Sequence, residues 1–388
     1  MINSFYYIFF TIVTCILIFI IYIKYYYHSW TNLPVNNILS LFVKNGIIQK
    51  QFEKQHKLVN HENIKTYHGR KINDLLIKNI KRMIDKGTIS GIKLYNNYDK
   101  HKHAFVSCYY KPNLLFNNAS QTYIDNPDII ASIASREIKF ESIDFTDCSI
   151  HFLDEFIYND LETSTYKNLF FEILKTHMQN IYITTKIIRP AIFLSSQLYP
   201  LTPLCKIPIY LLTKIQDNCH NYFSYLQPPN TKWDIIEITN ANFYLLKDFL
   251  NQHQNKFSIL LKSNVSTLLY RIKKKDISLK ILLLEGKICA FYSFAHIYAY
   301  PSKNPVLYKT IYLNGSLSNT SISLFQFGLQ QIFYKHSMPN DSLYIMDIAD
   351  NYLLIKHLQD KCLLNSQKYF YCYNLKHNIY DSRKIFYL

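Results

Sequence analysis

Phe5 to Ile23 reads FYYIFFTIVTCILIFIIYI, nineteen residues without a charge. As a helix this run is about 28 Å long, close to the ~30 Å hydrocarbon core of a bilayer. A segment apolar on every face belongs in lipid or deep in a large core. The rival reading is a cleaved export signal. Against it, no Lys or Arg precedes the run, the run is long for a signal's apolar region, and no small-residue cleavage site follows. Lys24 and Tyr25-Tyr26-Tyr27-His28 form a basic and aromatic collar suited to a membrane interface. With positive charge on that flank only, residues 1–28 are expected to form one transmembrane helix, leaving the body of the protein in the cytosol.

The remainder is soluble in character and long enough for two domains or one large α/β unit. The chain has 388 residues, 49% of them apolar, and a formal net charge of +16. That charge calls for an anionic setting: nucleic acid, an acidic leaflet or phosphorylated small molecules. The longest basic run, Arg271-Ile272-Lys273-Lys274-Lys275, reads as a solvated helix end, and no nucleic-acid signature accompanies it. No nucleic-acid partner is expected. The eight cysteines include no C-x-x-C pair, which fits free thiols in a reducing compartment. The histidines His56, His61 and His68, and His101 with His103, lack Cys or acidic partners at metal-ligand spacing, so no metal site is expected.

Along the body, Ile72 to Met83 has helical apolar spacing, and Asp128 to Ala134 and Cys148 to Leu153 read as strands. Asn168 to Met178 reads as a helix, followed by the strand Ile181 to Thr185. Pro228-Pro229-Asn230-Thr231 is the linker, dividing 29–227 from 228–388. Beyond it, Phe243 to Gln252 and Ser266 to Ile272 read as helices. Ile277 to Leu284 and Lys287 to Phe294, split by Glu285-Gly286, read as a hairpin. The strand Tyr308 to Asn314, helix Ile322 to Tyr334, strand Leu343 to Ile348, helix Tyr352 to Leu358 and the aromatic strand Tyr369 to Asn374 complete a second half in the style of the first. The last residues, Ile385-Phe386-Tyr387-Leu388, are apolar. Chain ends are usually solvated, so this one is expected inside the fold, where the α-carboxylate of Leu388 can act as a base.

In order and spacing, several short motifs resemble those of the N-myristoyltransferases, tandem pairs of acetyltransferase-like (GNAT) units. Trp30-Thr31-Asn32-Leu33-Pro34-Val35 resembles the F-W-x-T-Q-P-V box, and Ser149-Ile150-His151-Phe152-Leu153 resembles the E-I-N-F-L strand. Thr184 falls where the threonine of Y-T-A-G would lie, and Pro190 six residues on. Trp233-Asp234-Ile235-Ile236 enters the second half as the family does. Gly286 to Phe294 resembles G-K-I-T-D-F-V-S-F, Asp347 to Asn351 resembles D-L-M-E-N, and Tyr371-Cys372-Tyr373-Asn374 resembles Y-L-Y-N. The resemblance covers nearly everything after the apolar run. It implies an α/β (α+β) fold of two GNAT halves, mixed sheets flanked by helices.

The resemblance also implies a reaction, the transfer of a myristoyl group from myristoyl-CoA to the N-terminal glycine of a protein. The attacking amine has a pKa near 8 and an α-carboxylate one near 3.5, a gap of about 6 kcal/mol. Burial narrows that gap from both sides, so a buried Leu388 suits the role of general base. The thioester oxygen needs fixed donors, which the resemblance assigns to the amides of Phe152 and Leu153. It assigns acyl-CoA contacts to Trp30, Pro34, Val35, Thr163, Ser164, Thr165 and Lys167, and substrate contacts to His151, Thr184 and Asn365.

Three departures are visible. Where the family grips the CoA pyrophosphate with a basic loop, Asp154 to Thr165 carries Asp154, Glu155, Asp160 and Glu162 and no cation before Lys167. One like-charge contact at 4 Å costs about 4 kcal/mol at an effective dielectric of ~20, although the helix N-terminus and Thr163 to Thr165 can still donate hydrogen bonds. His151 stands for an asparagine, and the aromatic-histidine box reads Gln197-Leu198-Tyr199-Pro200. The glycine-aspartate turn before the last strand reads Cys362 to Ser366, with Asn365 in place of the acid. Two expectations follow: a membrane-tethered acyltransferase or, as the alternative, an inactive relative that binds an acyl chain or a lipidated protein.

Overall fold

The computed structural model describes residues 2–26, 34–35, 45–50, 59–72, 74, 76–80, 104–111, 114–117, 122–125, 128–144, 147–158, 163–199, 201–212, 230–299, 308–336, 342–358 and 362–388. Trp30, the Pro228-Pro229 pair and residues 159–162 lie outside them. The apolar run forms helix α1 (Ile2–Tyr26). Its side chains face outward all round, Tyr7 at 77% and Ile18 at 62% exposure. They are described from Tyr6 to Tyr22 only, roughly 26 Å of helix. Among the described residues no helix is long and apolar enough to cross a membrane.

The body is built on a 14-stranded mixed sheet. In chain order it has β1 (Ile64–His68), β2 (Ala104–Lys111), β3 (Asp128–Ser142), β4 (Cys148–Tyr158), helix α2 (Thr163–Thr185), β5 (Ala191–Ser195) and β6 (Cys205–Leu212). Then follow β7 (Trp233–Glu237), α3 (Phe243–His253), β8 (Ile259–Ser263), α4 (Val265–Lys273), β9 (Ile277–Leu284), β10 (Lys287–Ala299) and β11 (Tyr308–Ser318). The chain finishes through α5 (Ile322–His336), β12 (Ser342–Met346), α6 (Asn351–His357), β13 (Cys362–Tyr373) and β14 (Ile385–Tyr387). Across the sheet the order is β7-β9-β10-β11-β12-β6-β13-β5-β4-β3-β8-β14, with β2 also on β3 and β1 on β2.

Two strand–helix–strand units repeat within it, β4-α2-β5 and β11-α5-β12, each closing on a parallel pair. In both, the first strand carries a bulge. Asp154 is the extra residue of β4 between Leu153, opposite Ser135, and Glu155, opposite Ala134. Asn314 is the extra residue of β11 between Leu313, opposite Phe294, and Gly315, opposite Ser293. Parallel pairing stops just before each bulge, at Leu153 with Phe193 and at Leu313 with Ile345. A bulge bends and over-twists its strand, so the paired strands part at that point. The hairpin β9–β10 turns at Glu285 and Gly286, φ 51° and 79°, the two left-handed positions that a two-residue hairpin turn requires.

The period-two alternation of the strands divides the core. Leu153, Phe193 and Tyr371 pack on one face against α2 through Phe170, Leu174 and Met178. Phe152, Ile192 and Phe370 pack on the other face with Ile385 and Tyr387. Phe386 and Leu388 join the second-half core with Phe257, Leu268 and Phe291. Alternate residues of one short strand therefore fasten both halves together.

Several sequence expectations need correction. Ile181 to Thr185 is the last turn of α2 and not a strand. Its β-branched residues favour an extended chain, but they close a helix that is buried almost without a break from Leu169 to Gln179 and again at Ile181. The Thr184 and Thr185 hydroxyls donate to the carbonyls of Asn180 and Ile181, four residues back. Asp154 to Tyr158 belongs to β4 and not to a loop. Cys362 to Ser366 is the start of β13, with Asn365 as an exposed bulge residue, so no turn stands there.

Candidate active site

Leu388 is buried. Parallel pairing of β14 with β8 carries the chain past Leu261, where the Leu388 N–H donates to the Leu261 carbonyl at 2.9 Å. The Ser263 N–H in turn donates to the Leu388 oxygen at 2.8 Å. That oxygen is thus held by a backbone donor within an apolar cluster. Gly315, beside the second bulge, faces this strand: a Cβ there would lie 3.4 Å from the Tyr387 carbonyl oxygen. Phe152 of β4 stacks on the Tyr387 ring with centroids 5.0 Å apart and 15° between planes. The last residues and the Phe152-Leu153 pair thus lie side by side.

Arg136 ties these parts together. It sits opposite Phe152 in β3, is 4% exposed, and holds its guanidinium carbon 5.1 Å above the Phe152 ring. Its Nε donates to both Asp154 oxygens at 2.9 and 3.1 Å, Nη1 to Ser263 Oγ at 2.7 Å and Nη2 to the Tyr387 hydroxyl at 3.0 Å. Burial pushes its pKa down to about 10, with the Tyr387 hydroxyl raising it and Arg271 lowering it. At neutral pH the cation persists, balanced by a carboxylate on the bulge itself. The first of the four acids is therefore spent inside the strand and does not face a phosphate. Sequence reasoning missed Arg136 as a site residue. Its signal was the first charge after the uncharged run IIASIAS of a strand, 129–135.

On the other face of β3, His177 of α2 lies fully buried between Ser107 Oγ (2.7 Å from Nδ1) and Ser135 Oγ (2.8 Å from Nε2). Burial pushes its pKa down to about 3, so the ring is neutral, donating through one nitrogen and accepting through the other. Ser135 faces Leu153 across the bulge, so this link pins the bulge to α2.

Pro34 and Val35 are buried. Val35 bridges to Tyr373, and the Pro34 carbonyl accepts from the Asn374 N–H at 2.5 Å. Thr163, Ser164 and Thr165 form the first turn of α2, immediately after β4, and Lys167 lies in the next turn. Lys175, two turns further on, is buried. His151 is fully buried edge-on to Phe105 at 5.9 Å. Tyr199 is a core residue stacked on Phe170. Thr184 and Asn365 are exposed, and among the described contacts nothing joins either to the Leu388 network.

By sequence, no protein-family model and no curated protein matches this chain. Solved structures do. A Saccharomyces cerevisiae N-myristoyltransferase with bound myristoyl-CoA superposes with a TM-score of 0.63 at 11% identity, covering 91% of this chain and 93% of that one. Another, with myristoyl-CoA and inhibitors, gives 0.64 at 12% identity, covering 91% of each chain. This likeness is one of fold. The protein has a mixed α/β fold similar to that of these N-myristoyltransferases.

Proposed function

We propose that this protein is an acyl-CoA-dependent acyltransferase that transfers a fatty acyl group, by likeness myristoyl, to the N-terminal glycine of a client protein. The observation that carries this reading is the buried Leu388 oxygen held by the Ser263 N–H, one residue on from the Tyr387 ring that stacks on Phe152 of β4. The amine attacks the thioester carbonyl, the C–S bond breaks, CoA leaves as its thiol and an amide forms. The Leu388 carboxylate takes the ammonium proton that must leave before attack. The Phe152 and Leu153 amides, at the point where β4 and β5 part, stabilise the tetrahedral oxyanion. The α2 N-terminus with Thr163, Ser164 and Thr165 meets the CoA phosphates, helped by Lys167 and by the helix dipole. Pro34 and Val35, with Trp30, border the acyl-CoA; His151, Thr184 and Asn365 are weaker candidates for peptide contact, given their positions. The residue blocks 1–28, 29–227 and 228–388 act as anchor, acyl-CoA half and peptide half, and α1, apolar on all faces, holds the enzyme at a membrane with its body in the cytosol.

The test is transfer of radiolabelled myristoyl from myristoyl-CoA to a glycine-starting octapeptide. The expected result is product with the native chain and, for a chain extended by two residues past Leu388, a loss of about 100-fold or more with acyl-CoA affinity retained. No transfer above a heat-killed control would remove the enzymatic reading. Tight calorimetric binding of a non-hydrolysable acyl-CoA without transfer would instead favour an inactive acyl-chain-binding relative.

A further inference from the structure

Arg136 donates at once to three separate segments: the bulge of β4 through Asp154, the end of β8 through Ser263, and the terminal strand through Tyr387. Ser263 is also the residue whose N–H holds the Leu388 oxygen. Tyr387 is the residue that stacks on Phe152. Removing the guanidinium would at once free Asp154, the Ser263 hydroxyl and the Tyr387 hydroxyl, one group in each of these segments. We infer that Arg136 is a positioning residue for the acyl transfer, a clamp that fixes the Leu388 carboxylate against the bulge of β4, with Asp154 as the counter-charge that lets a cation be buried there. The inference rests on the acyltransferase reading for its kinetic consequence, while its geometric content stands apart from activity.

Geometry supplies the warrant. The one Nε–H is shared between the two Asp154 oxygens, and the two terminal nitrogens of the same rigid plane reach the other two segments, so the planar group fixes orientation as well as distance. A lysine offers one point charge and cannot span them. The Asp154 side chain is 8% exposed and that of Arg136 is 5%. A single substitution would strand a buried charge and destabilise the fold, so a paired apolar replacement is needed to separate positioning from folding.

The experiment compares the full-length native protein with Arg136→Met, Arg136→Lys and the double variant Arg136→Met/Asp154→Leu. Three readouts are taken: thermal midpoint, hydrogen–deuterium exchange of residues 385–388, and kcat and KM for acyl transfer. The expected double variant regains the midpoint lost in Arg136→Met but exchanges 385–388 faster than the native protein. Its kcat stays down by about 100-fold, the cost of a displacement near 1 Å, with KM for acyl-CoA changed by less than about threefold; Arg136→Lys does not rescue kcat. A double variant with native exchange at 385–388, or with native kcat, overturns the clamp. Should the native protein transfer nothing, the acyltransferase reading fails on its own, and the exchange of 385–388 still decides whether Arg136 holds that strand.

Discussion

His177 spans two hydroxyls at the centre of a packed layer, with Ser107 on β2 and Ser135 on β3. Burial holds its pKa near 3 and that of His377 near 4, both below the ordinary value of about 6.5. Below pH 6.5 the unfolded chain therefore binds protons that the folded chain refuses, and stability rises with pH in that range. The contribution is complete above 6.5 and is lost progressively as pH falls towards 4. Paired carboxylates act in the same direction but mainly below about pH 5, so the interval from 6.5 to 5 belongs to the histidines. The urea midpoint is expected to fall across that interval. His177→Gln, which keeps an amide donor and acceptor, should show a lower midpoint at pH 7 and a shallower fall. Equal slopes for the two proteins would assign the pH dependence elsewhere.

At the scale of elements, α5 packs so closely on β9 and β10 that its glycine is obligatory. A Cβ on Gly328 would lie 2.5 Å from the Tyr292 hydroxyl and 3.0 Å from Leu282 Cδ2, while that hydroxyl donates to the Phe325 carbonyl. Gly328→Ala gains up to about 1 kcal/mol of helix propensity and loses about 1–3 kcal/mol to overpacking. A lowered thermal midpoint is expected, with part of the loss returned by adding Tyr292→Phe; an increase on the single substitution would show that the layer has slack. The elements themselves were largely legible: the Glu285-Gly286 turn, the helices α3 and α4, and the apolar strands β9 to β11 all announce themselves locally. The bulges were not, because an extra residue in a strand is a property of its partner's register. The end of α2 was misread for a related reason. Its β-branched residues prefer strands locally, and only the layer around the helix decides otherwise. Of the proposed site, Phe152 and Leu153 were suggested by motif resemblance and Leu388 by its apolar neighbours, whereas Arg136, Ser263 and Tyr387 meet from positions up to 251 residues apart.

Taken whole, the molecule pairs a strongly basic chain with a helix whose large apolar side chains are exposed. Two forces would hold such a protein at a membrane, and salt separates them. Attraction of a +16 chain to anionic lipid fades as the Debye length drops from about 8 Å at physiological salt to about 3 Å at 1 M. Burial of exposed Phe, Ile and Leu side chains, each worth about 1.5–3 kcal/mol, is not screened. Full-length protein is therefore expected to float with neutral phosphatidylcholine vesicles at both salt concentrations. A chain beginning at residue 29 should bind anionic vesicles only at low salt, stay in the soluble fraction with neutral ones, and keep the native thermal midpoint, because no described side chain of α1 belongs to the body's core clusters. Acyl transfer to a short soluble peptide should survive the truncation, since β4, β8 and β14 are untouched. Flotation of the truncated chain with neutral vesicles at 1 M salt would move the membrane contact from α1 to the body.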